Sequence, residues 1–220
     1  MFQGYDQTTV DFMWGIRFNN EREWFMAHKN EFEDVLNTPF KALAKDTFAL
    51  MDDKYPDRGL LLHTARIYRD ARRLHGRGPY KDHLWFSIKA SDGLLSGPMF
   101  WFEIGAKDYS FGMGFYDTKA ADMENFRRAV DANPARFEKL VTDALKGGEF
   151  KISGQQYKKS KGEKSGIIAE WYNRKQLGVE CSRDFGGMLG EKKLPQYLAE
   201  EFEKLMPLYD FFVEILNAGK

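Results

Sequence analysis

His83–Ala90 reads HLWFSIKA, Met99–Gly105 reads MFWFEIG, and Tyr109–Tyr116 reads YSFGMGFY. In each stretch large apolar residues alternate with others: Leu84, Phe86 and Ile88; Phe100, Phe102 and Ile104; Tyr109, Phe111, Met113 and Phe115. A period of two places each set on one face of a strand, and the short Gly/Ser/Asp-rich links between them suit an antiparallel meander. Gly112 and Gly114 leave the opposite face of the third strand bare. Glycine weakens a strand unless something comes close to it there.

On either side the period becomes helical. In NEREWFMAHKNEFEDVL, Asn20 reads as an N-cap and Glu23 completes a capping box. Trp24, Phe25, His28, Phe32, Val35 and Leu36 form its apolar stripe. Pro39 then punctuates, and a second helix follows with Phe40, Leu43, Phe48 and Leu50 inward, closed by the turn residues YPDRG. TKAADMENFRRAVDAN and PARFEKLVTDALKGG read as two more helices, with Pro134 in the first turn of the second and Gly147–Gly148 stopping it. Residues 150–190 carry weaker signals: a basic loop (Lys158, Lys159, Lys161, Lys164), a short helix from Ile168 to Arg174, and a strand from Val179 to Ser182. LPQYLAEEFEKLMPLYDFFVEIL closes the chain as helix, kinked or broken before Pro207. No repeat or linker divides the sequence. The expected fold class is therefore α+β, a single domain over 1–220 with an antiparallel central sheet (a meander, spanning roughly Arg66 to Tyr116) flanked by helices. Residues 1–8 are expected to be poorly ordered.

The 220 residues balance 33 basic against 33 acidic side chains, so any electrostatic partner must be met by a local patch. Cys181 is the single cysteine, which excludes an intramolecular disulfide and points to a reducing cytoplasm. The first residues lack the basic-then-apolar pattern of a secretory signal. The most apolar run, PMFWFEIGA, is too short to span a bilayer, so no membrane association is expected. His28, His63, His75 and His83 show no metal-ligand spacing, and Cys181 reads as a buried structural thiol, so no metal is expected. Gly112 and Gly114 lack the third glycine of a dinucleotide fingerprint, GEKSG is not a P-loop, and no GxSxG elbow occurs; no cofactor is expected.

One segment breaks the charge balance. RIYRDARRLHGRGPYK holds Arg66, Arg69, Arg72, Arg73, Arg77 and Lys81 against a single acid, Asp70. As a helix it would share a face among Arg66, Arg69 and Arg73; as a strand, among Arg66, Tyr68, Asp70 and Arg72. Such crowding costs repulsion unless carboxylates from elsewhere, or a bound anion, neutralise it. Arginine's planar fork suits both solutions. The first solution is a structural salt-bridge network in an interaction module, with Asp70 and acids such as Asp46, Asp82 or Glu103 as partners. The second is a pocket beside the sheet for an anionic small molecule, held by Arg66, Arg69, Arg72 and Lys81. A nucleic-acid backbone ranks lowest, because no reader motif accompanies the patch. Asp70 as a base and Tyr80 as a hydroxyl are the candidates for catalysis, and no reaction is identified. The oligomeric state is not read from the sequence.

These residues carry a resemblance. NNEREWF, Asn19 to Phe25, together with RIYRDARRLHGRGPYK resembles the bacterial and fungal family catalogued as domain of unknown function 2461. Its central motif reads approximately RxxRDxRFxx[DN]KxPYK, with an NNxxxWF element near the N-terminus. Arg66, Arg69, Asp70, Arg72, Pro79, Tyr80 and Lys81 match the first of these; Asn19, Asn20, Trp24 and Phe25 match the second. Arg73, Gly76 and Arg77 depart from it, so no carboxylate is available at position 76. The Gly-rich strands and the PLYDFF helix extend the likeness to nearly the whole chain. The resemblance implies a fold and a place to look for a site, not a reaction.

Overall fold

The computed structural model describes residues 1–74, 76–90 and 97–218. The helices are α1 (Gln7–Phe18), α2 (Arg22–Ala27), α3 (Lys29–Phe32), α4 (Thr38–Lys54), α5 (Ala120–Ala132), α6 (Pro134–Ala144), α7 (Gly166–Tyr172) and α8 (Leu194–Asn217). The strands are β1 (Leu60–Thr64), β2 (His83–Ala90), β3 (Met99–Gly105), β4 (Asp108–Phe115), β5 (Lys151–Ser153) and β6 (Leu177–Asp184). They form one six-stranded antiparallel sheet in the order β1-β2-β3-β4-β6-β5. The protein is α+β.

The alternating segments are β2, β3 and β4, and every expected inward residue, from Leu84 to Phe115, is at most 1% exposed. The sheet extends beyond the expected meander at both edges. β1 lies before Arg66, and β5 pairs with β6 in the register Lys151↔Glu180, Ile152↔Val179, Ser153↔Gly178. The bare face of β4 also has a reason. A Cβ on Gly112 would stand 2.1 Å from the Val179 carbonyl oxygen, so the position is closed by the chain's own backbone rather than kept open for a ligand.

Backbone contacts divide the chain into two compact units. The first comprises Met1–Ile88, Trp101–Ser110 and Ser182–Ala199; the second comprises Lys89–Phe100, Phe111–Cys181 and Glu200–Lys220. In the first, Phe40 of α4 meets Phe86 of β2, which stacks on Phe102 of β3 with ring centroids 5.5 Å apart. In the second, Phe100 of β3 stacks on Tyr209 of α8 at 4.8 Å, and Phe126, Phe137, Trp171 and Phe212 close a ring cluster. Cys181 is buried, and α8 continues through Pro207 without the expected break. Within residues 1–8 two side chains and two backbone groups are held. Phe2 and Tyr5 are buried, the Phe2 N–H donates to Asp46 Oδ2 at 2.6 Å, and the Tyr5 N–H donates to the Leu189 carbonyl at 3.1 Å.

Pro39 does not separate two helices. The chain winds from Lys29 to Lys54 through a single π-helical turn, Glu33–Asn37, in which the Thr38 N–H bonds to the Glu33 carbonyl five residues back. The cause is local. Proline has no N–H for the carbonyl four residues before it, and its ring crowds that carbonyl, so the turn widens. That carbonyl belongs to Val35, and the hydroxyl of the buried Thr9 in α1 donates to it at 2.8 Å. The inward set shifts as well: Met51 is buried where Leu50 was expected, and Leu50 is 38% exposed.

Thr9→Val keeps the shape and removes the donor, leaving the half-buried Val35 carbonyl unserved. It is expected to lower stability by about 1–3 kcal/mol in urea denaturation. An unchanged midpoint and slope would show that water or a relaxed turn serves Val35 equally well.

Candidate functional site

The arginine-rich motif fills the connection between β1 and β2. It is neither the helix nor the continuous strand that its spacing allows. Tyr68 and Tyr80 form an isolated antiparallel bridge, and Ala71–Arg73 makes a single 3-10 turn. The bridge is closed by Lys81 N–H to the Ile67 carbonyl and Arg69 N–H to the Pro79 carbonyl, both 2.8 Å. Asn20, expected to cap a helix, does something else: Glu21 takes the N-cap position of α2. Its side-chain amide instead pairs with the Tyr80 backbone in both directions. Nδ2 donates to the Tyr80 carbonyl, and the Tyr80 N–H donates to Oδ1, each at 2.9 Å. A Cβ at residue 78 would lie 2.2 Å from Asn20 Oδ1, so Gly78 is what lets the amide in. Phe25 completes the dock by stacking on the Tyr80 ring at 4.1 Å.

The expected site residues go to different places. Arg69 has a side chain only 14% exposed; its Nε donates to the Tyr80 carbonyl at 2.7 Å, and its guanidinium meets Asp82 at 3.3 Å. Arg72 is 88% exposed and forks onto Asp70, with bonds of 3.1 and 2.9 Å, while Asp70 also accepts from the Arg72 N–H. Solvent screening makes such an exposed pair worth little. Lys81 donates to the Arg66 carbonyl at 2.8 Å. Burial, then the charges of Arg66 and Arg69, push its ammonium below its ordinary value. Of the acids considered as partners, Asp82 serves, meeting Arg69 and, at 3.7 Å, Arg17 of α1, whereas Asp46 binds the Phe2 backbone. Both candidates for catalysis are engaged in structure. Asp70 holds Arg72, and Tyr80 is buried, with its hydroxyl pushed up by burial and by Tyr68 against the opposing effect of Arg22. The Arg73 side chain and His75 lie outside the described residues.

Arg66 differs from the rest. It is exposed, and among the described residues no carboxylate pairs with it. It lines a cavity of about 230 Å³ whose other walls include Phe25, Phe32, Phe40, Tyr68, Lys29, Lys41, Glu33 and Asn37. Lys29 and Lys41 likewise have no ion-pair partner among the described residues. Glu33 Oε2 accepts from Asn37 Nδ2 at 2.6 Å. Lys29, Glu33 and Lys41 escaped the sequence reading because they stood on the polar side of two separate expected helices, and Asn37 because it fell between them. Their spacing of four residues was the available signal: it drifts around a regular helix of 3.6 residues per turn and is better matched where a turn is widened. Among the described residues no cluster of His, Cys, Asp and Glu is arranged to hold a metal ion, and no helix is long and apolar enough to cross a membrane.

The structure is thus an α+β protein in which two sequence elements far apart, the Asn20 region and the Arg66–Lys81 motif, fold onto each other. The chain belongs to the family described as conserved hypothetical protein (DUF2461), which matches residues 8–211, nearly the whole length. That family has no assigned function. Comparison with curated proteins finds no match.

Two outcomes test the dock. Asn20→Ala leaves the Tyr80 N–H without its acceptor and is expected to cost about 1–3 kcal/mol in chemical denaturation. The second concerns pH. Burial alone would raise the Asp82 carboxyl, but its own backbone N–H, His83 and Arg17 outweigh burial and hold it below its ordinary value of 3.8. A carboxyl lowered in the folded state stabilises fully above its unfolded value, and that contribution is lost as pH falls through the folded value. Wild type should therefore lose stability through the acidic range more steeply than Asp82→Asn. Parallel curves would mean that Asp82 is not the anchoring charge.

Proposed function

We propose that this protein binds a small anionic ligand in the cavity beside β1, with Arg66, Lys29 and Lys41 as its cations and Phe25, Phe32 and Phe40 as its apolar wall. The observation that carries the reading is three cations without ion-pair partners among the described residues around one aromatic-walled cavity, against one lining carboxylate, Glu33. Gathering like charges around a recess is unfavourable until an anion enters it. A volume of about 230 Å³ lies below the roughly 300 Å³ at which common ligand pockets begin, which favours a small metabolite over a nucleotide.

On this reading the motif divides its labour. Arg66 meets the ligand, Arg69 and Lys81 hold the connection that presents it, and Arg72 pairs with Asp70 in solvent. The salt-bridge network is thus the better account of Arg69 and Arg72, each of which faces a carboxylate. Dispersal of the cations also disfavours a nucleic-acid backbone, which needs them along one track. The buried single thiol of Cys181 suits a reducing cytoplasm.

Calorimetric titration with 3-phenylpropionate and with inorganic phosphate tests the proposal. At least one should bind, and Arg66→Ala should weaken it about 10- to 100-fold, the worth of a charge-assisted hydrogen bond. Arg72→Ala should leave it unchanged. No binding of either probe, or equal binding by Arg66→Ala, overturns the reading.

A further inference from the structure

The Tyr68–Tyr80 bridge has two outer edges, and they are treated differently. Because the bonds run from Lys81 N–H to Ile67 and from Arg69 N–H to Pro79, Tyr68 and Tyr80 are the non-hydrogen-bonded pair. In such a pair each residue's own N–H and carbonyl point away from the partner chain. On the Tyr80 side the Asn20 amide stands in for the next strand, taking both groups at 2.9 Å. On the Tyr68 side no described residue takes either group, and Tyr68 lines the cavity with Thr64, Ala65, Arg66 and Ile67. A backbone edge left open beside a recess is a template for another amide. At Asn20 the molecule shows what such an edge accepts, a donor and an acceptor side by side.

We infer that the ligand of this cavity is an α-amido carboxylate: an N-acyl amino acid, or the C-terminal residue of a peptide. This rests on the anion-binding reading above and adds the chemistry of the ligand's other parts. The ligand's amide N–H donates to the Tyr68 carbonyl and one of its carboxylate oxygens accepts from the Tyr68 N–H, as in strand addition. Its carboxylate is met by Arg66 with Lys29 and Lys41. Its apolar side chain lies against Phe25, Phe32 and Phe40. The volume of about 230 Å³ admits one residue of this kind, not an extended chain.

The test uses the full-length protein and four probes: N-acetyl-phenylalanine, its N-methylated amide analogue, 3-phenylpropionate, and the tetrapeptide Ala-Ala-Ala-Phe. N-acetyl-phenylalanine should bind about ten-fold more tightly than 3-phenylpropionate, which has the ring and carboxylate but no amide. N-methylation should abolish that gain. In a ¹³C-labelled sample the Tyr68 carbonyl resonance should move with N-acetyl-phenylalanine and stay in place with 3-phenylpropionate. Tetrapeptide binding equal to that of N-acetyl-phenylalanine assigns the site to peptide C-termini, and weaker binding assigns it to free acyl amino acids; both support the inference. Equal binding of N-acetyl-phenylalanine and 3-phenylpropionate, each weakened by Arg66→Ala, overturns the amide inference and leaves the anion site standing. Failure of every probe to bind overturns the amide inference, and overturns the anion site as well where inorganic phosphate also fails to bind.

Discussion

The amide of Asn20 on the backbone of Tyr80 is the constraint on which the rest of the first unit depends. It spans 60 positions of sequence with two hydrogen bonds of 2.9 Å, and it does for Tyr80 what a neighbouring strand would do. Without it the β1–β2 connection would be a long irregular segment with its polar backbone turned inward and unserved. With it, Tyr80 is fixed, the Tyr68–Tyr80 bridge is fixed, and the residues on the far side of that bridge become the wall of a cavity. Gly78 is the local condition, since any side chain there would occupy the place of the amide.

The charges follow from the same arrangement. Asp82 receives the exposed Arg17 from α1 and the embedded Arg69 from the motif, so a single carboxylate meets two cations, one of which burial would otherwise penalise. Lys81 has no such carboxylate beside it; its bond is to a backbone carbonyl, and the nearby arginines disfavour its charge. The motif is thus a graded series, from an embedded arginine with its acid, through a lysine held on backbone, to Arg66 with no acid among the described residues. An anion would complete that series at the cavity. The same cavity borders the open edge of Tyr68, which is why one small molecule could answer both the charge and the backbone.

The helical wall opposite owes its form to Pro39. Losing one N–H opens a π turn, and the turn carries Glu33 and Asn37 into the cavity wall between Lys29 and Lys41. Thr9 makes this sustainable by serving the carbonyl that the proline leaves behind. A feature that reads as a helix boundary is therefore a shaping device within one continuous helical run.

What the sequence alone determined was the part governed by period. β2, β3, β4, α5 and α6 were legible because their apolar faces repeat every two residues or every three to four, and burial enforces that repeat. The motif was legible as a place of interest because charge density needs no structure to be seen. Short edge strands such as β1 and β5 carry too few residues to show a period. The roles of Asn20, Gly78 and Thr9 were invisible because each is set by a partner tens of residues away. The same holds for the site. Local spacing allowed the arginines to share a face, but tertiary structure sent Arg69 to Asp82, Arg72 to Asp70, and Arg66 alone to the cavity. Which charges meet an acid and which do not depends on what other segments bring beside them, and only the folded chain decides that.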